Sequence, residues 1–298
     1  MDLTATPSPL PHDDRDDEHD LGLQHDLQTL GERTAPPGGA AGPGLASMSA
    51  GIDELARKRM DRRKMLTMVG GGGAAALILA GCRIPVTGGG YARIPEETAG
   101  PFPGDGTNGP NVLTTSGVVR HNIRSSFGGL TGTATGVPLT VRLRVTDVSA
   151  GNVVKPGAAV YLWHCDALGR YSLYASGVTD KNYLRGIQVA DKKGELTFTS
   201  IFPACYDGRW PHIHFEVYPS LAKANNAANK VATSQMALPA AACKAVYATT
   251  GYTGSAANLA KTSLSRDMVF SDGYSHELAS VTGSTSKGFT AALTVAVP

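Results

Sequence analysis

Apolar and polar positions alternate along several stretches in the second half of the chain. In PLTVRLRVTD (138–147), Leu139, Val141, Leu143 and Val145 fall on one side and Thr140, Arg142, Arg144 and Thr146 on the other. That is the period-two signature of a strand with one face in a core. The closing GFTAALTVAVP repeats the pattern, with Phe289, Ala291, Leu293, Val295 and Val297 sharing a face. AAVYLWHCD is apolar almost throughout, as expected of a strand covered on both sides. In PHIHFEVY, Ile213, Phe215 and Val217 lie on one face and His212, His214, Glu216 and Tyr218 on the other. DKKGE (191–195) reads as a hairpin turn with Gly194 where φ must be positive, and LPAAACKAVYATT reads as a short helix.

No long helical period interrupts this pattern, and Gly and Pro are abundant. The expectation is a mostly β chain: a single β-sandwich domain over 112–298, with short helices and long loops. At 298 residues and 42% hydrophobic content, one good-sized core plus extensions fits better than two equal domains. A formal net charge of +2 argues against a nucleic-acid partner.

The first 111 residues contribute little to that core. Residues 1–60 are polar, with an acidic-histidine run and a Pro/Gly stretch, and read as a disordered, solvated extension without assigned function; its His12, His19 and His25 are placed there rather than in a metal site. Residues 61–82 read as an export signal. Arg62-Arg63-Lys64-Met65-Leu66 is a twin-arginine motif, and the weakly apolar run after it ends in Leu79-Ala80-Gly81-Cys82, the pattern of a lipidated cysteine. Four consecutive glycines and insufficient length make that run a poor membrane span. The expectation is therefore export by the twin-arginine route and a lipid anchor on Cys82, at the outer side of the cytoplasmic membrane. Residues 83–111 read as a Gly/Pro-rich tether.

The chemistry concentrates in IFPACYDGRWPHIHFEVY (201–218). Two imidazoles at i and i+2 can chelate one metal ion, and they can equally be two ordinary strand histidines. Tyr206, after FPAC, and Tyr171, in LGRYSLY, change the picture. Two tyrosinates with two imidazoles form a hard, anionic set suited to a trivalent ion, which would ionise phenols whose free pKa is about 10. His164 is set aside as a core histidine bonded to a backbone carbonyl.

Through GRYS around Tyr171, FPACY ending at Tyr206, and GRWPHIHF with Arg209, His212 and His214, the chain resembles the intradiol ring-cleavage dioxygenases, non-haem ferric enzymes that open catechols. The resemblance runs from about Glu97 to the C-terminus. It implies Fe(III) held by Tyr171, Tyr206, His212 and His214, with a catechol-type aromatic and O2 as substrates and a muconate-type diacid as product. It further implies that Tyr206 leaves the metal and takes up a proton as substrate arrives, and that Arg209 stabilises charge building on the substrate. Gln235, which the polar loop after Tyr218 precedes, would hydrogen-bond a bound substrate or oxygen, with a plain exposed loop residue as the even alternative. EETAGPFP resembles the segment leading into the family's catalytic domain, so Phe102 or Pro103 would lie near the mouth of the site.

Two departures stand out. Only DGRWP separates Tyr206 from His212, where the well-known family members have a longer loop, and no amphipathic N-terminal helices of the dimerising kind are seen. Substrate identity and oligomeric state therefore stay open. The alternative from another class is a non-catalytic surface lipoprotein, a β-sandwich binding metal or ligand, which would keep HxH but need neither Arg209 nor both tyrosines. A zinc or copper enzyme on the same fold is disfavoured by the two phenols. With Cys82 lipidated, Cys165, Cys205 and Cys243 remain; a Cys205–Cys243 disulfide is expected, with Cys165 a small core residue.

Overall fold

The structure, a computed structural model, describes residues 91–298, and every structural statement below concerns them. The expected extension, the twin-arginine segment with Cys82 and the start of the tether lie outside the described residues.

The strands are β1 (Pro138–Asp147), β2 (Val153–Val154), β3 (Ala159–Trp163), β4 (Arg185–Val189), β5 (Glu195–Ile201), β6 (His212–Tyr218), β7 (Ala232–Ala237), β8 (Ser280–Ser284) and β9 (Gly288–Val297). Two short helices, α1 (Ala240–Tyr247) and α2 (Ser255–Lys261), follow β7. The strands form two sheets. In the first, β1 pairs in parallel with β9 and shares its other edge between β5 and β2, while β8 closes the far side of β9. The second is an antiparallel sheet in the order β4-β3-β6-β7. This is the mostly β architecture read from the sequence.

The alternation explains the layering. Leu139, Val141, Leu143 and Val145 are all buried, in register with Phe289, Ala291, Leu293 and Val295 of β9. Val160 and Leu162 of β3 and Ile213, Phe215 and Val217 of β6 belong to the same buried cluster. Because successive side chains point to opposite faces, this leaves Tyr161 and Trp163 of β3, and His212, His214 and Glu216 of β6, on the other face of the second sheet. That face is buried too.

Two sequence expectations change here. The DKKGE turn has the local chemistry of a hairpin: Gly194 has φ +73, and Asp191 Oδ1 accepts from the amides of Lys193 and Glu195. Yet β4 pairs with β3 and β5 with β1, so the turn carries the chain from one sheet to the other. It docks on β1 through a Val145 N–H to Gly194 carbonyl bond. The expected tether also becomes part of the domain from residue 94 onward. Ile94 N donates to the Ala296 carbonyl, Glu97 N to the Thr233 carbonyl, and Phe102 is buried. Its carbonyls meet Arg185, whose guanidinium is buried and donates to the Phe102 and Pro103 oxygens at 2.9 and 2.8 Å. Segment 94–104 is thus a strap fastened across the second sheet.

Candidate metal centre

Three adjacent strands build the floor of the site. Trp163 of β3, His214 of β6 and Gln235 of β7 stand in register across the sheet. Since Ile213 and Phe215 are committed to the core, His212 and His214 both project from the opposite face. His212 Nδ1 lies 2.5 Å from the Trp210 carbonyl, which can only accept, so Nδ1 carries the proton and the Nε2 lone pair faces inward. His214 is stacked on Trp163, centroids 4.9 Å apart and 6° from parallel.

The phenols arrive from two loops, each anchored on both sides. Before Tyr171, Asp166 accepts from the Leu168 and Arg170 amides, the Arg170 side chain and the Tyr183 hydroxyl, at 2.9 to 3.0 Å. After it, the Ser172 hydroxyl donates to the Tyr183 carbonyl, and Arg185 donates to both the Ser172 hydroxyl and its carbonyl. Tyr171 is therefore buried, with Phe102 of the strap against its ring, centroids 5.1 Å apart. Tyr206 is only partly buried, which makes it the more open of the two phenols. Its loop is held by α2: Ser255 Oγ accepts from the Cys205 amide and Asn258 Nδ2 donates to the Cys205 carbonyl, both at 3.1 Å.

The four side chains meet at one point. Tyr171 Oη is 3.4 Å from Tyr206 Oη, 3.3 Å from His212 Nε2 and 3.2 Å from His214 Nε2. His212 Nε2 is 3.3 Å from Tyr206 Oη and 3.1 Å from His214 Nε2. Donors about 2.1 Å from a common ion lie about 3.0 Å apart at right angles and about 3.4 Å apart at tetrahedral angles. All five edges fall in this range. The sixth pair, Tyr206 and His214, makes no hydrogen-bond contact among the described residues. The residues present therefore fit a single metal ion. No group of three or more His, Cys, Asp or Glu side chains of metal-holding geometry occurs among the described residues; here the set is completed by phenols.

The electrostatics without an ion point the same way. Burial, then the neighbouring Tyr206, pushes the Tyr171 phenol well above its ordinary value; burial also raises Tyr206, opposed by Arg209. Burial and then the Arg209 charge push His212 well down, and burial followed by His212 does the same to His214. Two neutral imidazoles and two reluctant phenols need a cation to become a charged set. A bound metal ion inverts this balance by stabilising phenolate directly.

Arg209 and Gln235 join this cluster in an arrangement the sequence did not reveal. Gln235 is not in a loop: it is fully buried on β7. Its Oε1 accepts from Arg209 Nη2 at 2.7 Å, and its Nε2 donates to the Thr98 carbonyl of the strap at 2.9 Å. Both ends of the amide are therefore engaged, and the side chain ties Arg209 to the strap. Arg209 is also paired with Asp267, Nε to Oδ2 at 2.9 Å, a fully buried partner that sequence reasoning missed. The pair is separated by 58 positions, and only a fold could signal it.

His164 is a satisfied core histidine, bonded through Nδ1 to the Cys165 carbonyl and through Nε2 to Ser200 Oγ, both at 2.7 Å. The expected Cys205–Cys243 disulfide is corrected. Both are buried free thiols, Cys205 Sγ contacting the Arg209 carbonyl and Cys243 Sγ the Leu238 carbonyl, and the Tyr206 loop is held to α2 by Ser255 and Asn258 instead.

The family model described as Dioxygenase matches residues 109–213, a span that holds Tyr171, Tyr206, Arg209 and His212 and stops one residue short of His214. Among solved structures, the chain is similar to an intradiol ring-cleavage dioxygenase from Tetranychus urticae, at 22% identity and TM-score 0.55, over 69% of this chain and 94% of that one. A second dioxygenase crystal structure matches at 22% identity and TM-score 0.54, with the same coverage. Catechol 1,2-dioxygenase from Pseudomonas arvilla C-1 aligns at 18% identity and TM-score 0.48, over 91% of this chain and 74% of that one. The matched Dioxygenase span and the shared fold now stand beside the sequence motifs in support of the resemblance to the intradiol ring-cleavage dioxygenases.

Proposed function

We propose that the protein is an Fe(III)-dependent dioxygenase that cleaves a catechol-type aromatic between its two hydroxyl-bearing carbons. The observation that carries this reading is the convergence of Tyr171, Tyr206, His212 and His214 to within 3.1 to 3.4 Å of one another. A hard trivalent ion suits two phenolates and two imidazoles better than zinc does. When bound, the ferric ion would supply Lewis acidity, lowering the pKa of the catechol hydroxyls and shifting electron density onto the ring carbon that O2 attacks. Both oxygen atoms would enter the product: the carbon–carbon bond breaks, and each of its carbons ends as a carboxylate of a muconate-type diacid.

The chain's own residues have distinct parts in this reading. Tyr171, sealed under Phe102, stays in place as a fixed donor, while the more open Tyr206 gives way to substrate and accepts one of its protons on Oη. Trp163 and the Trp210 carbonyl orient the imidazoles. Arg209, which stays protonated and whose charge reaches both phenols and both imidazoles, stabilises the negative charge that develops on the ring. The twin-arginine and lipobox motifs support a location outside the cytoplasmic membrane, with Cys82 as the anchor; no helix among the described residues is long and apolar enough to cross a membrane.

The test measures iron content, visible absorption and oxygen uptake together. A ferric tyrosinate site is coloured and loses that colour in Tyr171→Phe, and catechol in air should consume oxygen and yield a ring-opened diacid. A coloured, iron-loaded protein that takes up no oxygen with any catechol would leave only the metal-binding lipoprotein reading.

A further inference from the structure

The family resemblance implies a charge-stabilising part for Arg209, but a buried arginine on a flexible stem needs something to aim it. Its guanidinium is planar, so fixing two of its edges fixes the third. Nε donates to Asp267 Oδ2 at 2.9 Å, and Nη2 donates to Gln235 Oε1 at 2.7 Å with a longer contact of 3.4 Å to Asp267 Oδ1. Nη1 makes no hydrogen bond among the described residues.

Asp267 is itself rigidly held. Its Oδ2 accepts from the Trp210 amide at 2.6 Å, and its Oδ1 accepts from the amides of Val269 and Phe270 at 2.9 and 3.2 Å. Trp210 follows Arg209 in the chain, so one carboxylate secures both the guanidinium and the backbone beside it. The Trp210 carbonyl in turn contacts His212 Nδ1, while the Asp267 carboxylate makes no hydrogen bond to a proposed metal ligand among the described residues.

We propose that Asp267 is a positioning residue for ring cleavage: it holds Arg209, together with Gln235, so that Nη1 alone is presented to the reacting ring. This rests on the dioxygenase reading above.

A double-mutant cycle on the full chain tests it, comparing wild type, Arg209→Ala, Asp267→Asn and the double variant. With catechol and O2, Arg209→Ala and Asp267→Asn should each lower kcat/KM on the order of 10²-fold. The double should be no worse than Arg209→Ala by more than about threefold, because Asp267 acts only through the arginine. Iron content and the visible band of Asp267→Asn should match wild type. In metal-free protein, Arg209→Ala strands a buried carboxylate and should lower Tm by roughly 10 °C, and the double should recover part of that loss. Losses that multiply, an Asp267→Asn variant with wild-type kcat/KM, or one that folds but loses the visible band would each overturn the proposal. Should Asp267→Asn fail to fold, the double against Arg209→Ala decides alone: equal kcat/KM supports the proposal, and a slower or unfolded double overturns it. Wild type without oxygen uptake sinks the dioxygenase reading instead, and the metal-free Tm cycle still reports whether the two residues are coupled.

Discussion

Trp163 and His214 lie face to face, their centroids 4.9 Å apart and their planes 6° from parallel. The contact matters because the two imidazoles are oriented by different means. His212 is fixed by its bond to the Trp210 carbonyl, whereas His214 Nδ1 has no hydrogen-bond partner among the described residues. On the side away from Nε2, packing sets the His214 ring: Trp163 on its face, the Tyr171 edge at 6.0 Å, and Gly100 near Cε1. Trp163→Leu should therefore weaken iron binding about tenfold or more, the range seen when the surroundings of a metal ligand are altered. A cavity cost of about 3 kcal/mol in stability should accompany it. Trp163→Phe keeps a ring on His214 and should retain most of the affinity. Competition against a ferric chelator, followed through the visible band, reads both; equal affinity in the leucine variant would show that stacking does not orient His214.

Gly100 offers a sharper test of the strap. Its φ is +70, and a Cβ there would stand 3.3 Å from His214 Cε1. Gly109 shares a positive φ, +89, but has nothing within 4 Å of the same position. Alanine at either site should cost about 1–2 kcal/mol for the left-handed backbone. Only Gly100→Ala should also weaken metal binding, because the strap or the imidazole must shift. Denaturation of the metal-free proteins and iron titration of each separate the two effects, and parallel behaviour of both variants would reject the strap as a support for His214.

Thiol chemistry distinguishes the observed arrangement from the expected disulfide. Cys165, Cys205 and Cys243 are buried, and burial raises all three thiols, Cys205 to about 12. In native protein none of the three should react with a thiol reagent at neutral pH. In denaturant without reductant all three should label, as counted by mass spectrometry, and a reductant should leave Tm unchanged. Protection of Cys205 and Cys243 in denaturant would restore the bridge.

The parts of the molecule legible in the sequence are those specified locally. Alternation in β1 and β9 fixed which side chains face the core, and the candidate ligand residues sit in short motifs that need no knowledge of the rest of the chain. What escaped is what only long-range packing decides. ATSQMA reads as the end of a polar loop because Ser234 and Gln235 are hydrophilic, yet both are fully buried, Ser234 bonded to Glu277 and Gln235 to Arg209 and Thr98. DKKGE has the same turn chemistry whether its flanking strands pair with each other or separate into two sheets. Glycine and proline in 94–104 read as a solvated tether. The Phe102 and Pro103 carbonyls are instead the buried acceptors that Arg185 requires, and a residue without a side chain is what fits against His214.

His164 should give the metal-free protein a pH dependence of known sign. Its neutral ring is fully satisfied, Nδ1 donating to the Cys165 carbonyl and Nε2 accepting from the Ser200 hydroxyl. Burial lowers its pKa from 6.5 to about 4. Between those values the unfolded chain binds a proton that the folded chain refuses, so stability rises with pH across this window. The contribution is fully present above pH 6.5 and is lost as pH falls through the folded value near 4, amounting to about 3 kcal/mol. His212 and His214 are shifted in the same direction, so the total slope is steeper than His164 alone gives. Comparing His164→Asn with wild type isolates the share: the variant is less stable at pH 8, having lost the two buried bonds, but its stability should fall less between pH 6.5 and 4. Chemical denaturation of both metal-free proteins across that range measures the difference, and parallel curves would show that His164 binds protons equally in the folded and unfolded chains.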